Sequence, residues 1–122
     1  MAMGLTHVTV TLSRPSELNG RYEANFLVDT GAIDSLAPAE ELHKVGIRPV
    51  GKTAYELAKG KVEEYEFGLA EIRFMGEVTA GRVIFGPDNV EPILGVTAME
   101  SAGITIDPAT RKLEKLPAIP LK

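Results

Sequence analysis

Apolar and polar residues alternate along much of the chain, in short stretches. Within residues 5–12, Val8, Val10 and Leu12 fall on one face, and Thr9 and Thr11 fall on the other. A period of two residues is typical of a β-strand, and β-branched side chains favour that structure further. The 12 glycines and 8 prolines interrupt the pattern often, which favours many short strands over long helices. We therefore expect an all-β fold, with further strands at 22–28, 32–38, 78–85, 90–94, 104–106 and 112–116.

Two stretches lack this alternation and carry helix signals instead. Residues 38–46 start with a proline, continue with Glu40 and Glu41, and end with a lysine and, two residues later, a glycine. Proline and acids are favoured in the first turn of a helix, whereas cations and glycine are favoured at its end. Residues 96–103 also stop at a glycine, which predicts a second short helix.

The pattern between residues 53 and 74 predicts a long hairpin that is broken around Lys59, Gly60 and Lys61. Its outgoing arm carries apolar residues at odd positions up to Leu69 and at even positions from Ala70 onward. A shift of one residue moves side chains to the opposite face of a strand. We therefore expect a bulge or bend near residues 68–70.

The candidate for chemistry is Asp29, at the end of the apolar strand residues 26–28. A carboxylate delivered by a buried strand is costly to desolvate, so hydrogen-bond donors compensate it or it serves a reaction. Thr30 supplies a hydroxyl, and Gly31 lets its backbone N–H approach the carboxylate because no side chain is in the way. We predict Asp29 as the catalytic residue, with Thr30, Gly31 and Ala32 supporting it.

The composition narrows the functional classes. The 122 residues fit one domain that spans 1–122. A net charge of −4, without a cluster of basic residues, argues against nucleic-acid binding. The absence of cysteine excludes disulfides and thiolate metal sites and suits a reducing cytoplasm. No apolar run is long enough to span a membrane, and residues 1–4 lack the basic start of a signal peptide, so we expect a soluble, cytoplasmic protein.

Two motifs in this order resemble the retropepsin-like aspartic proteases, and in particular their small prokaryotic single-domain type. The first is Asp-Thr-Gly-Ala at 29–32, preceded by Phe-Leu-Val. The second is Ile-Leu-Gly at 93–95, followed by a short helix and an Asp-Pro turn. The resemblance covers about residues 22–110. It implies a closed β-barrel with one or two short helices that forms a homodimer.

The resemblance also implies an activity and its parts. The chain holds one copy of the catalytic motif, so an active endopeptidase would be a homodimer to which each protomer gives one Asp29. The two carboxyl groups would share a proton and activate a water, without metal or cofactor. Peptide or protein substrates would bind as an extended strand under a flap. The implied flap tip is Lys59, Gly60 and Lys61, and the implied substrate pocket is lined by Leu27, Ile33, Asp34, Ile84 and Ile93.

Two departures from the family pattern leave alternatives open. Ile33 occupies a position where the family usually has a small polar residue, and the flap carries one glycine, Gly60, between two lysines. One alternative is therefore a non-catalytic homodimer that binds peptides or partner proteins in the same groove. Another is an unrelated β-barrel binding domain, which would be a monomer. Prolines in the C-terminal tail cannot donate hydrogen bonds to a strand ladder, so we do not expect the tail to pair with that of a partner. We expect residues 104–116 to form the dimer contacts instead.

Overall fold

The computed structural model describes residues 6–17 and 19–121. The predicted start of the first strand at Leu5 and residues 1–4, in which no signal peptide is predicted, lie outside the described residues. The strands are β1 (His7–Ser13), β2 (Arg21–Asp29), β3 (Ser35–Pro38), β4 (Gly51–Glu56), β5 (Val62–Phe74), β6 (Glu77–Gly86), β7 (Ile93–Gly95), β8 (Ile104–Ile106) and β9 (Leu113–Lys115). The helices are α1 (Ala39–Lys44) and α2 (Val96–Ser101).

Six strands close into a barrel in the order β1, β2, β7, β3, β6, β5. The ring closes because β1 also pairs with β5, with Leu12 opposite Ile72. Closure leaves these strands without a free edge. Strands β8 and β9 form a separate two-stranded sheet. The all-β closed barrel with two short helices that the sequence predicts is therefore confirmed.

The core fills the inside of this barrel. Alternate residues of the strands point inward, as the period of two predicts. The two helices cover the barrel with Leu42 and Met99, which are 0% and 2% exposed. The fully buried barrel side chains include Val10, Leu12, Phe26, Ile72, Val83 and Leu94.

Strand β5 serves both the barrel and a projecting hairpin. One of its edges pairs with β6 from Phe67 to Phe74. Its other edge pairs with β4 along residues 62–67 and with β1 along residues 71–73. The β4–β5 hairpin therefore extends beyond the point where the barrel closes.

The apolar phase of β5 changes without a bulge. The register between β5 and β6 runs unbroken from Phe67 to Phe74, so the bulge predicted near residues 68–70 is absent from this ladder. Even-numbered side chains such as Ala70 and Ile72 fill the barrel, whereas the odd-numbered Tyr65 and Phe67 are half-buried on the other face. Strand β5 therefore buries side chains on both of its faces: even-numbered residues in the barrel core, and odd-numbered residues on the opposite face, where the strand forms the hairpin.

Several elements are shorter than predicted. Strand β7 begins at Ile93 instead of residue 90, because Pro92 has no N–H to donate to a ladder. The carbonyl of Pro92 still accepts a hydrogen bond from the N–H of Leu27 at 2.9 Å.

Among the described residues, no helix is long and apolar enough to cross a lipid bilayer.

Candidate active site

Asp29 is the last residue of β2, where β2 runs parallel to β7 with Asp29 opposite Gly95. The N–H of Gly31 donates to Oδ1 of Asp29 at 2.9 Å. The N–H of Ala32 donates to the backbone carbonyl of Asp29 at 3.0 Å. A β-carbon on Gly31 would lie 3.2 Å from the same Oδ1, so glycine permits the close approach. The turn therefore holds the carboxylate in place at the end of its strand.

Gly95 seats the loop that follows the motif. A β-carbon on Gly95 would lie 2.6 Å from the carbonyl carbon of Asp34 and 2.7 Å from the carbonyl oxygen of Ile33. These distances are well inside van der Waals contact, so only glycine fits. The N–H of Gly95 donates to the buried Oγ of Ser35 at 3.0 Å. The strand Ile93–Gly95 thus lies beside the loop and supports it.

The first residues of α2 fix the same loop. The N–H of Val96 donates to the carbonyl of Ala32 at 2.8 Å, and the N–H of Thr97 donates to the carbonyl of Ile33 at 3.2 Å. The amides at the start of a helix have no partner within the helix, so the loop satisfies them. The two sequence motifs are therefore joined by backbone hydrogen bonds, although about 65 residues separate them in the chain.

A groove of about 730 Å³ opens over Asp29. Its walls come from the loop after β2, from the barrel and from the β4–β5 hairpin. The lining residues are Asp29, Gly31, Ala32, Ile33, Asp34, Leu36, Ala54, Tyr55, Glu56, Leu57, Ala58, Tyr65, Ile84 and Ile93. Four of the five predicted pocket residues are among them.

The fifth predicted pocket residue, Leu27, lines a different cavity of about 520 Å³. That cavity is also lined by Asp29 and Thr30, and by Ile106 and Arg111 from the C-terminal part of the chain. The carboxylate of Asp29 therefore lies between two concave surfaces.

The hairpin ends in a tight turn at the predicted flap tip. The N–H of Gly60 donates to the carbonyl of Leu57 at 2.9 Å, and the N–H of Leu57 donates to the carbonyl of Lys61 at 2.7 Å. Gly60 has a φ of +79°, a left-handed conformation that favours glycine. Lys59, Gly60 and Lys61 are exposed and do not line the groove. Leu57 and Ala58, just before them, do.

A hydrogen bond connects the hairpin to the active-site loop. The hydroxyl of Tyr55, on β4, donates to Oδ2 of Asp34 at 2.7 Å. Burial and the neighbouring Asp34 carboxylate raise the pKa of the Tyr55 phenol, while the Arg82 guanidinium opposes this shift. Sequence reasoning did not assign Tyr55 to the site. The signal for it is the alternation in β4, which puts Tyr55 on the half-buried face of the hairpin.

Three polar side chains of the hairpin, Lys61, Glu63 and Tyr65, are paired with one another. The hydroxyl of Tyr65 donates to Oε2 of Glu63 at 2.8 Å, and Nζ of Lys61 lies 2.9 Å from Oε1 of Glu63. Hydrogen bonds from Lys61 and Tyr65 lower the pKa of Glu63.

Across residues 6–17 and 19–121, no three His, Cys, Asp or Glu side chains lie close enough together to hold a metal ion.

Comparisons with known proteins agree with the two motifs. A model of the aspartyl protease family matches residues 15–98, more than half of the chain. Among the solved structures that match, the solution structure of the simian foamy virus (mac) protease has a TM-score of 0.55 and 14% sequence identity, over 77% of this chain and 91% of that chain. At that identity the likeness shows the fold, which is that of a retroviral protease. No curated protein matches. Since the family match spans both motifs, this chain belongs to the aspartyl protease family.

Proposed function

We propose that the protein is an aspartic endopeptidase that acts as a homodimer. The observation that carries this proposal is the position of Asp29, which lines a groove of about 730 Å³ between the barrel and the hairpin. Ligand sites in proteins typically enclose about 300–1,000 Å³. The backbone N–H of Gly31 fixes one oxygen of the carboxylate at 2.9 Å, so the acid is oriented before substrate arrives.

The second carboxylate comes from a second copy of the chain. Each chain has one Asp-Thr-Gly motif, and a two-fold axis beside the motif brings two Asp29 side chains together. The exposure of Thr30 and Gly31, next to the half-buried Asp29, supports this arrangement, because the tip of the loop is free to meet its counterpart. The β8–β9 sheet lies beside the second cavity, with Ile106 lining it, and we assign to this sheet a part of the interface.

The paired carboxyl groups divide the work of hydrolysis. Two adjacent carboxyl groups do not both ionise, so the pair shares one proton. The ionised carboxylate takes a proton from a bound water, and the resulting hydroxide attacks the scissile carbonyl carbon while the protonated partner donates to the carbonyl oxygen. The C–N bond then breaks as the departing nitrogen receives a proton. The products are a peptide that ends in a carboxylic acid and a peptide that begins with a free amine.

The lining of the groove favours extended peptides with apolar side chains near the cut bond. Its walls include the aliphatic side chains of Ile33, Leu36, Leu57, Ile84 and Ile93. An extended peptide places alternate side chains on opposite faces, so one side chain meets the barrel wall and the next meets the hairpin. Apolar contact area then contributes to binding on both faces.

Cleavage of a denatured protein tests the activity. Wild-type protein is expected to cut it, and Asp29→Asn is expected to abolish cutting, because the amide cannot act as a base. The matched control is Asp88→Asn, since Asp88 is exposed in the turn after β6 and does not line the groove. If the wild type binds peptides without cutting them, and Asp29→Asn binds them equally well, the non-catalytic alternative holds instead.

Mixing the two proteins tests the shared site. If each active unit needs two Asp29 residues, adding a large excess of Asp29→Asn protomers to the wild type suppresses cleavage, because mixed dimers contain one acid. An excess of Asp88→Asn protomers is expected to leave cleavage intact. A wild-type protein that sediments as a monomer while it cuts would contradict the dimeric site.

A further inference from the structure

We propose that Tyr55 and Asp34 form a latch that holds the β4–β5 hairpin over the groove in its substrate-binding position. Tyr55 is thus a positioning residue: it acts on substrate through the hairpin that it fixes. The kinetic part of this inference rests on the proposed protease function, whereas the latch itself does not.

The latch joins two elements that are distant in sequence. Tyr55 lies on β4, and Asp34 lies in the loop after the Asp-Thr-Gly motif. Their hydrogen bond is 2.7 Å long and half-buried. A hydrogen bond to a charged acceptor is stronger than one between neutral groups. The backbone of Asp34 is itself packed against Gly95, so the hairpin is tied to the rigid part of the site.

A second tie lies nearer the base of the hairpin. Arg82, on β6, donates from Nη1 to Oγ1 of Thr53 at 3.2 Å. Its guanidinium also lies 4.0 Å from the ring centre of Phe67, a cation–π contact with the other arm of the hairpin. Thr53 and Tyr55 share the inward face of β4. The hairpin is thus held at two successive positions on one face, and the tip at Leu57–Lys61 lies beyond both.

The latched position leaves room for substrate. The groove of about 730 Å³ exists with the Tyr55–Asp34 bond made, and both residues line it. The bond therefore does not close the site. A hairpin that is already in position costs less conformational entropy to order when a peptide binds. Breaking the latch is expected to weaken peptide binding more than it slows the chemical step.

The latch is tested by the backbone dynamics of the hairpin, which need no catalysis. In ¹⁵N relaxation-dispersion measurements, Tyr55→Phe is expected to introduce exchange broadening at hairpin amides 53–65. Asp34→Asn is expected to act in the same direction. The matched control is Tyr65→Phe, which removes a hydroxyl from the same hairpin but leaves the Tyr55–Asp34 bond, because Tyr65 donates to Glu63 on its own strand. Equal broadening in Tyr55→Phe and Tyr65→Phe, or none in Tyr55→Phe, would overturn the latch.

Kinetics test its role in binding. Loss of the bond in Tyr55→Phe is expected to raise KM about fivefold and to change kcat by less than about twofold. In the double variant Tyr55→Phe with Asp34→Asn, the rise in KM is expected to be smaller than the product of the two single-variant rises, since one bond cannot be lost twice. Tyr22→Phe serves as the kinetic control, because Tyr22 does not line the groove. A fall in kcat with KM unchanged would refute the positioning role. If the wild-type protein cleaves no substrate, the protease function is refuted, and the relaxation-dispersion measurements alone test the latch.

Discussion

Gly95 lies so close to Asp34 that a β-carbon on Gly95 would be 2.6 Å from the Asp34 carbonyl carbon. The contact joins the second sequence motif to the loop that follows the first. Asp29 pairs with Gly95 in register, so the same glycine contacts the strand of Asp29 on one side and the loop after that strand on the other. Movement of Gly95 would therefore displace both ends of the active-site loop.

Replacing Gly95 by alanine is expected to destabilise the protein. The added methyl group collides with backbone atoms of Ile33 and Asp34, which cannot turn aside as a flexible side chain can. Overpacking of this kind costs about 1–3 kcal/mol. The free energy of unfolding, measured by urea denaturation, is expected to fall by that amount.

Gly81→Ala is the matched control for Gly95→Ala. Gly81 also lies in a barrel strand, but a β-carbon there would have no neighbour within 4 Å. Its free energy of unfolding is expected to change by less than about 0.5 kcal/mol. Equal losses in the two variants would mean that the close packing at Gly95 does not matter.

Ser35→Ala is expected to weaken the contact between Gly95 and the loop after Asp29, because Ser35 is the loop's hydrogen-bond partner for Gly95. The Ser35 side chain is 2% exposed and accepts the N–H of Gly95 at 3.0 Å. Alanine leaves that buried N–H without this partner, which costs about 1–3 kcal/mol. Thermal unfolding is expected to show a lower Tm. Ser101→Ala, at an exposed serine that bonds the Thr79 hydroxyl, is expected to leave Tm nearly unchanged, and a similar fall in both variants would contradict the role of Ser35.

The local parts of the site could be predicted from the sequence. Asp29 and Gly31 lie in a short motif whose geometry depends on neighbouring residues: a strand end followed by a turn. The strand period also predicted most of the strands and the hairpin, because one buried face fixes the alternation. These features need no knowledge of distant contacts.

Features that depend on distant contacts could not be predicted in this way. Tyr55 meets Asp34 across 21 residues, and no local pattern identifies that partner. Leu27 faces away from Phe26, as the strand period requires, but the cavity that it lines there is completed by Ile106 and Arg111, about 80 residues later in the chain. The phase change in β5 suggested a bulge, because a single sequence does not reveal that both faces of one strand are covered.

The ionisation of Tyr55 is expected to report on the latch. Burial and the Asp34 carboxylate raise the phenol's pKa above its ordinary 10.0. The folded protein then holds the proton more tightly than the unfolded chain does. This contribution to stability is fully present below pH of about 10 and is lost as the pH rises through the folded-state pKa.

Asp34→Asn is expected to lower the pKa of Tyr55 toward its ordinary value, because it removes the negative charge beside the phenol. An NMR titration of the tyrosine ring carbons measures this directly. Tyr22 provides an internal control, since its raised pKa comes from burial and from Glu41. A shift of Tyr22 as large as that of Tyr55 would indicate a general change in the fold instead of the loss of a local bond.

Ile33 is expected to select the side chains that the groove accepts. It lines the groove and is 65% exposed, so it has little role in folding but offers apolar surface to a ligand. Ile33→Asn is therefore expected to change the free energy of unfolding by less than about 0.5 kcal/mol. In a peptide library, the ratio of kcat/KM for peptides with an aliphatic residue to that for peptides with a polar residue at one subsite is expected to be about tenfold lower for Ile33→Asn than for the wild type.

Val62→Asn is the matched control for Ile33→Asn. Val62 is 62% exposed at the start of β5 and does not line the groove, so the substitution makes the same chemical change at similar exposure. It is expected to leave the cleavage preference unaltered. An equal loss of preference in Val62→Asn would mean that any added polar side chain on the exposed surface has this effect. An unchanged preference in Ile33→Asn would show that the Ile33 side chain does not contact the substrate. Only a loss confined to Ile33→Asn identifies the subsite.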